Sequence, residues 1–368
     1  MTEPNAVQFL TLHEFVKAAK MRLNPMIWDY LVGAAETETT MRRNRQALDS
    51  IALKPRVLRD VSKIETSSQL LGKRLRLPVV LAPVGSLQSF EPGGGATAAR
   101  AAERYGAGMM LSSVSDPGLE AVRKAAPKAL AVFQLYVRGD DTFIDGYARR
   151  VIEAGYDAFA ITVDTAVYSR RERDIAKRFV KYWRSDSTGM EFQAALSWKD
   201  IARFKKTHKI PLILKGIGTA EDARIALEHG VDVIYVSNHG GRQLDHGRGA
   251  MDVLPEVLDV ARGKAKIMVD GGISRGSDIV KAIAMGADAV GIGRLYLYAL
   301  AAGGEAAVVR MFEILEDEVK SAMGLMGITK LGDLNRDTLH LGAPVVSDPH
   351  VHSAFPLLNL DDPGYGGR

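Results

Sequence analysis

"HGVDVIYVSNHGGRQLD", residues 229–245, opens on a glycine–aspartate joint, passes through an unbroken apolar run and ends in a polar cluster holding an imidazole and a guanidinium. The run is too short for a buried helix and is built of residues that favour strands. A strand apolar at consecutive positions is covered on both faces, the pattern of a parallel sheet. The same joint recurs in "AGYDAFAITVD" (154–164) and "MGADAVGIGR" (285–294), each placing Gly-x-Asp-x before an apolar run. Gly155, Gly230 and Gly286 suit the left-handed residue that ends a helix before the next strand.

Working outward, "PVVLAP" (78–83), "GMMLSS" (108–113), "LAVFQLY" (130–136), "PLILKG" (211–216) and "KIMVDGG" (266–272) bring the apolar runs to eight. Ala-rich amphipathic stretches such as "ATAARAAERYG" (96–106) and "TAEDARIALEHG" (219–230) lie between them. Eight strand–helix units between residues 78 and 294 predict an α/β fold, a (β/α)8 TIM barrel, rather than an open doubly wound sheet. After the first strand, "PVGSLQS" (83–89) lacks the G-x-G-x-x-G that a Rossmann fold would need. One domain is expected: a helical N-terminal extension over 1–60, the barrel over 61–345 and a C-terminal tail over 346–368. "YWRSDSTGMEF" (182–192) is polar without clear periodicity and predicts a loop, and "DDPGYGGR" (361–368) a mobile end.

Composition narrows the function. The chain has 368 residues, 46% hydrophobic and 25% charged, and no cysteine, so disulfides, thiolate metal sites and Cys nucleophiles are excluded. "MTEPNAVQFLTLHEF" has neither a basic n-region nor an apolar h-region, and no stretch approaches a run of about 20 apolar residues. A cytoplasmic location with no membrane partner is therefore expected. Net charge is +4, but the basic residues are dispersed among acids, as in "RRERDIAKRFVKYWRSD" (170–186). A mildly basic surface around an anionic substrate is expected, not a nucleic-acid partner. No metal site is expected.

In such a barrel the active site lies at the C-terminal ends of the strands. The residues there are Pro83, Val84 and Gly85; Ser112; Gln134 and Tyr136; Thr162 and Asp164; Lys215; Ser237, Asn238 and His239; Asp270, Gly271 and Gly272; and Gly293 and Arg294. His239 and Arg242 thus face a reacting substrate, and the convergence of Asp, Lys and Arg on one rim favours catalysis over a satisfied core histidine. "DGGISRG" (270–276) and "GIGR" (291–294) put glycines and an arginine after strands seven and eight, where these barrels bind phosphate.

These residues resemble the FMN-dependent α-hydroxy-acid oxidases and dehydrogenases, the group of glycolate oxidase, lactate oxidase, lactate monooxygenase and mandelate dehydrogenase. The similarity runs from about residue 10 to 345 and is strongest in "SNHGGRQLD", "ITVDT" with "RRERDI", "FQLY", "LSWKDI", "LKG" and "VDGG". The resemblance implies oxidation of an L-2-hydroxy acid to the 2-keto acid, with FMN as cofactor and O2 or another acceptor reoxidising it. His239 would take the hydroxyl proton while hydride passes to flavin N5; abstraction of the Cα proton through a carbanion uses the same base. Asp164 would stabilise the imidazolium. Arg242 and Arg171 would bind the substrate carboxylate, with the neighbouring Arg170 structural or exposed, and Tyr30 and Tyr136 would hydrogen-bond the substrate.

For the cofactor, the resemblance implies Lys215 at the N1–C2 edge of the flavin. Gln134, Thr162, Ser112, Ser237 and the backbone of Pro83, Val84 and Gly85 would meet the ring. Asp270 would meet the ribityl chain, and Gly271, Gly272, Gly293 and Arg294 would hold the phosphate. A homo-oligomer, tetramer or octamer, is also implied. The chain departs from the family pattern in carrying Ser274 where a phosphate-binding Arg is frequent, with Arg275 next to it as a substitute. It also carries His246 and Arg248 where small residues and Pro are common, and only residues 172–214 separate Arg171 from Lys215. Val114 stands where glycolate oxidases tend to have a bulky aromatic, which predicts a preference for lactate or a larger 2-hydroxy acid. Two alternatives are a relative acting on a larger, peptide-like substrate and a non-catalytic barrel that binds phosphate ligands.

Overall fold

In the computed structural model, which describes residues 9–178, 189–343 and 354, every predicted strand is present. They are β1 (Val79–Leu81), β2 (Gly108–Ser112), β3 (Leu130–Leu135), β4 (Ala158–Thr162), β5 (Leu212–Ile217), β6 (Val233–Val236), β7 (Lys266–Val269) and β8 (Ala289–Ile292). All pair in parallel with their sequence neighbours, and β8 closes on β1 with Val290 opposite Val79. Gly155, Gly230 and Gly286 have φ of 78°, 68° and 124°, so the glycine joints do turn helix into strand as their sequence requires.

Alternation along the strands sorts side chains into two layers. Val80, Met110, Val132, Ala160, Ile213, Tyr235, Met268 and Ala289 form an interior cluster, and their sequence neighbours pack outward beneath the helices. Leu70 and Leu75, from an antiparallel hairpin (Ser68–Leu70 with Lys73–Leu75), join the interior cluster. The lumen is therefore a packed core that supports whatever lies above it.

The N-terminal extension is helical over Leu12–Arg22, Pro25–Val32 and Thr39–Asp49. Glu14 accepts from the backbone N–H groups of Leu10 and Thr11 (both 2.7 Å), and Asn24 caps the second helix by accepting from Ile27 N–H at 2.9 Å. Helicity does not continue to residue 60. Ile51–Leu53 is a strand, antiparallel to Leu339–Leu341, because the chain there finds a backbone partner nearly 300 residues away rather than one within itself.

Two further expectations are corrected. The loop predicted over 182–192 fails at its end, where residues 190–192 begin a helix, Met190–Ala195; residues 182–188 lie outside the described residues, as does 361–368. Gly189 turns into that helix at φ 87°, and buried Gln193 accepts from Val137 N–H (2.7 Å) and donates to the Thr162 carbonyl (3.0 Å). Local sequence holds no trace of that tertiary anchor. Secondly, helix Arg294–Leu325 is long and apolar enough to cross a membrane, but 67% of its apolar window is buried in the fold. Gly303 and Gly304 also break its helical geometry, so it is a core helix.

Candidate active site

The interior alternation continues past the apolar layer. Two positions beyond the lumen residues come Ala82, Ser112, Gln134, Thr162, Lys215, Ser237, Asp270 and Gly291. Strand geometry thus lays a mostly polar ring on an apolar floor. Both amide atoms of Gln134 and the Thr162 hydroxyl are buried without a hydrogen-bond partner. Buried polar atoms rarely stay unpaired, so this ring is shaped for a polar ligand. Lys215 Nζ lies 2.8 Å from Ser237 Oγ and 3.3 Å from Asp270 Oδ2, and Ser237 donates to Asp270 Oδ1 at 2.6 Å.

Above the ring is a cavity of about 1110 Å³ including its open mouth. Pro83, Val84, Gly85, Lys215, Asp270, Gly271, Gly272, Gly293 and Arg294 line it together with Tyr30, Tyr136, Arg171, His239 and Arg242. Ser112, Gln134, Thr162 and Ser237 are buried and do not line it.

His239 adopts a left-handed backbone, φ 58°, uncommon for a residue with a Cβ. Its N–H donates to Ser237 Oγ at 3.1 Å, and Asn238 Oδ1 accepts from Gly241 N–H at 3.1 Å, so the turn is over-determined. The result aims Nδ1 at Asp164 Oδ1 (3.1 Å) and Nε2 at the Tyr136 hydroxyl (3.3 Å). Burial pushes the His239 pKa below the ordinary 6.5, with Lys215 and Arg171 adding to the effect and Asp164 opposing it. Burial alone would raise Asp164; His239 and Lys215 hold its pKa low instead.

Arg242 donates through Nη1 to the carbonyls of Tyr30 (2.8 Å) and Gly33 (2.6 Å), with its guanidinium carbon 4.8 Å from the centre of the Tyr30 ring. Its pKa is pushed down to about 9, by burial first and then by Arg171 and Arg294. Arg171 is held by the Arg242 carbonyl and Gln243, whereas Arg170 is exposed. Three guanidiniums around one cavity repel one another and favour anionic ligands.

On the phosphate side, Gly271 and Gly272 have φ of 103° and 85°. A Cβ on Gly271 would come within 2.9 Å of Asn44 Oδ1, whereas one on Gly293, at the head of helix Arg294–Leu325, would meet nothing within 4 Å. Arg294 is oriented by the carbonyls of Leu31 (3.1 Å), Gly240 (2.9 Å) and Gly33 (2.8 Å). Ser274 lines the cavity, but Arg275 does not substitute for a cation there: it is paired with Glu318 and lies off the cavity wall.

The departures His246 and Arg248 acquire a structural account. Arg248 binds Glu256 (2.6 and 3.0 Å) and the Gly218 carbonyl (2.8 Å), tying the β6 loop to the β5 loop. His246 is an exposed left-handed residue, φ 55°, whose carbonyl accepts from Arg43 at 2.8 Å. Sequence reasoning missed Leu31, Phe90, Thr165, Gln243 and Leu297 on the cavity wall. Gln243 stood within the opening motif and was the one with a visible signal. Phe90, stacked on Tyr30 at 6.0 Å, had none, because its contact joins a post-β1 loop to an N-terminal helix.

Comparison with known proteins agrees with this geometry. The pattern of the FMN-dependent dehydrogenases matches residues 19–341. Glycolate oxidase 5 of Oryza sativa subsp. japonica is 38% identical over 346 residues, 88% of this chain and 94% of the relative. The L-lactate oxidase of Nostoc sp. is 37% identical over 358 residues, 90% and 98% of the two chains. Among solved structures, a mandelate oxidase with (S)-2-phenylpropionate superposes with a TM-score of 0.85 at 35% identity, covering 92% of this chain and 100% of that one. The unpartnered polar atoms of Gln134 and Thr162, the lysine in the same ring and the positive-φ Gly271 and Gly272 fit an FMN, and the chain belongs to the FMN-dependent dehydrogenase family of flavoenzymes that oxidise 2-hydroxy acids.

Proposed function

We propose that this enzyme oxidises an L-2-hydroxy acid bearing an apolar side chain larger than hydrogen, with His239 as base. The observation that carries the proposal is one cavity wall joining the His239–Asp164 pair to Arg171 and Arg242. Arg242 and Arg171 hold the substrate carboxylate by charge-assisted hydrogen bonds. Tyr136 and Tyr30 orient the substrate hydroxyl and carboxylate. His239, neutral at pH 7 because burial lowers its pKa, takes the hydroxyl proton at Nε2, and Asp164 stabilises the resulting imidazolium at Nδ1. A bound FMN would supply the two-electron acceptor for the hydride of the Cα–H bond, with O2 or another acceptor taking those electrons in turn. Gln134 and Thr162 would hold the polar edge of its ring, Lys215 would favour negative charge there, and Gly272, Gly293 and Arg294 would hold the phosphate.

The side-chain preference is supported by Val114 on the wall and by the apolar Leu31, Phe90 and Leu297 around it. The mandelate oxidase relative, whose structures hold phenyl-bearing ligands, points the same way. A homo-oligomer, tetramer or octamer, and a cytoplasmic location complete the proposal. Anaerobic bleaching of the bound flavin by a panel of 2-hydroxy acids tests it: lactate and larger acids should bleach faster than glycolate, and no bleaching by any of them would end it.

A further inference from the structure

Gln243 is buried on the wall of the active-site cavity and has no place in the chemistry above. Its amide group is fully committed. Nε2 donates to the carbonyls of Asp164 (3.2 Å) and Val167 (3.0 Å), which fixes the orientation of the amide and leaves Oε1 facing outward as acceptor. Oε1 then accepts from Arg171 Nη2 at 3.2 Å. Asp164, Val167 and Arg171 all belong to the stretch after β4, whereas Gln243 follows β6. A second tie runs parallel to the first, Ser169 Oγ donating to the Arg242 carbonyl at 2.6 Å, and that carbonyl also accepts from Arg171 Nε at 3.3 Å.

We infer that Gln243 is a positioning residue that sets Arg171 for the substrate carboxylate while locking the segment that carries Asp164. An arginine on a loop has several rotamers, and ordering it on binding would weaken affinity. Oε1 of Gln243 and the Arg242 carbonyl order it beforehand and leave its charge uncompensated, since both acceptors are neutral. A carboxylate at position 243 would hold Arg171 equally well but neutralise it. The amide is thus the group that orients the guanidinium without competing with the substrate for its charge.

The inference rests on the carboxylate-binding role proposed for Arg171, and the experiment separates the two. FMN-loaded wild type, Gln243→Met, Arg171→Ala and the double variant are titrated with pyruvate, followed by the perturbation of the flavin spectrum. Gln243→Met should weaken pyruvate roughly tenfold, the scale of one hydrogen bond to a charged group, and have little effect in the Arg171→Ala background. Binding of neutral methyl pyruvate should change less than twofold. Gln243→Glu should weaken pyruvate at least as much, by charge, and serves if Gln243→Met fails to fold. Equal losses for pyruvate and its ester, or full additivity of the two substitutions, would overturn the positioning role while leaving that of Arg171 intact. Unchanged pyruvate binding in Arg171→Ala would instead remove Arg171 from the carboxylate site and the inference with it.

Discussion

His239 Nδ1 lies 3.1 Å from Asp164 Oδ1, though the two residues follow different strands, β6 and β4, and are 75 positions apart in the chain. The pair leaves Nε2 facing the Tyr136 hydroxyl and the cavity, so the imidazole has one nitrogen for orientation and one for chemistry.

His239→Gln should keep the flavin and lose its reduction by substrate by about 10²–10⁴-fold, the range of a general base. Stopped-flow reduction under anaerobic conditions measures this; near-normal reduction would contradict the role of His239.

The pH profile follows from the direction of the His239 shift. The neutral imidazole is the competent base, and burial lowers its pKa below 6.5, so the acid limb of kcat/KM should fall below pH 6.5. Asp164→Asn removes the negative charge that raises that pKa, which moves the limb further down while lowering the plateau, because the imidazolium loses its partner. A limb that moves up in Asp164→Asn would show that Asp164 does not act on His239.

Lys215→Met should lower the flavin's reduction potential and weaken sulfite addition, since both depend on positive charge beside the ring. Heat denaturation of the wild type should release FMN and not FAD. Unchanged sulfite affinity in Lys215→Met would place the lysine elsewhere.

Val114→Trp should shift preference toward glycolate by filling space over the substrate's side chain. Each CH₂ buried there is worth about 0.8 kcal/mol, so the wild type should favour lactate or larger acids at least roughly tenfold in the rate constant for flavin reduction divided by Kd. Tyr168 also lines the cavity, its hydroxyl accepting from Arg138 at 2.9 Å, and is able to refill part of the gap, whereas Met26 is exposed and off the wall. A wild type that prefers glycolate would refute the pocket argument but not the chemistry.

Arg45 and Asp278 form a buried bidentate pair, both bonds 2.8 Å, and Arg45 also donates to the Gly272 carbonyl at 3.1 Å. Asp278→Ala leaves a buried guanidinium with Asp49 as its remaining carboxylate and should cost about 3–5 kcal/mol in stability, read by urea unfolding of the flavin-loaded protein. FMN affinity should fall too, because the pair steadies the Gly272 turn.

The barrel and much of its rim were legible in the sequence because both depend on short-range rules. Consecutive apolar residues with a glycine joint permit few structures other than a covered parallel strand, and alternation then dictates that Gln134, Thr162 and Lys215 lie two steps above Val132, Ala160 and Ile213. Tyr30 stands outside that logic: its position came from family resemblance alone, and its cavity contact depends on a helix outside the barrel. The strand at Ile51–Leu53 and the helix at Met190–Ala195 were illegible because each is stabilised by a partner remote in sequence.

By itself, then, the sequence determined strand order, the layer of polar residues at the strand ends and the residue types available for acid–base and anion chemistry, all consequences of local geometry and covalent order. Only the tertiary structure decided which of those groups meet: that Arg275 turns to Glu318 and not to the cavity, that Gln243 holds Arg171, and that Arg248 ties two loops together. Those outcomes depend on which acceptor lies within about 3 Å in space, the distance over which a hydrogen bond forms, and chain order does not specify that distance.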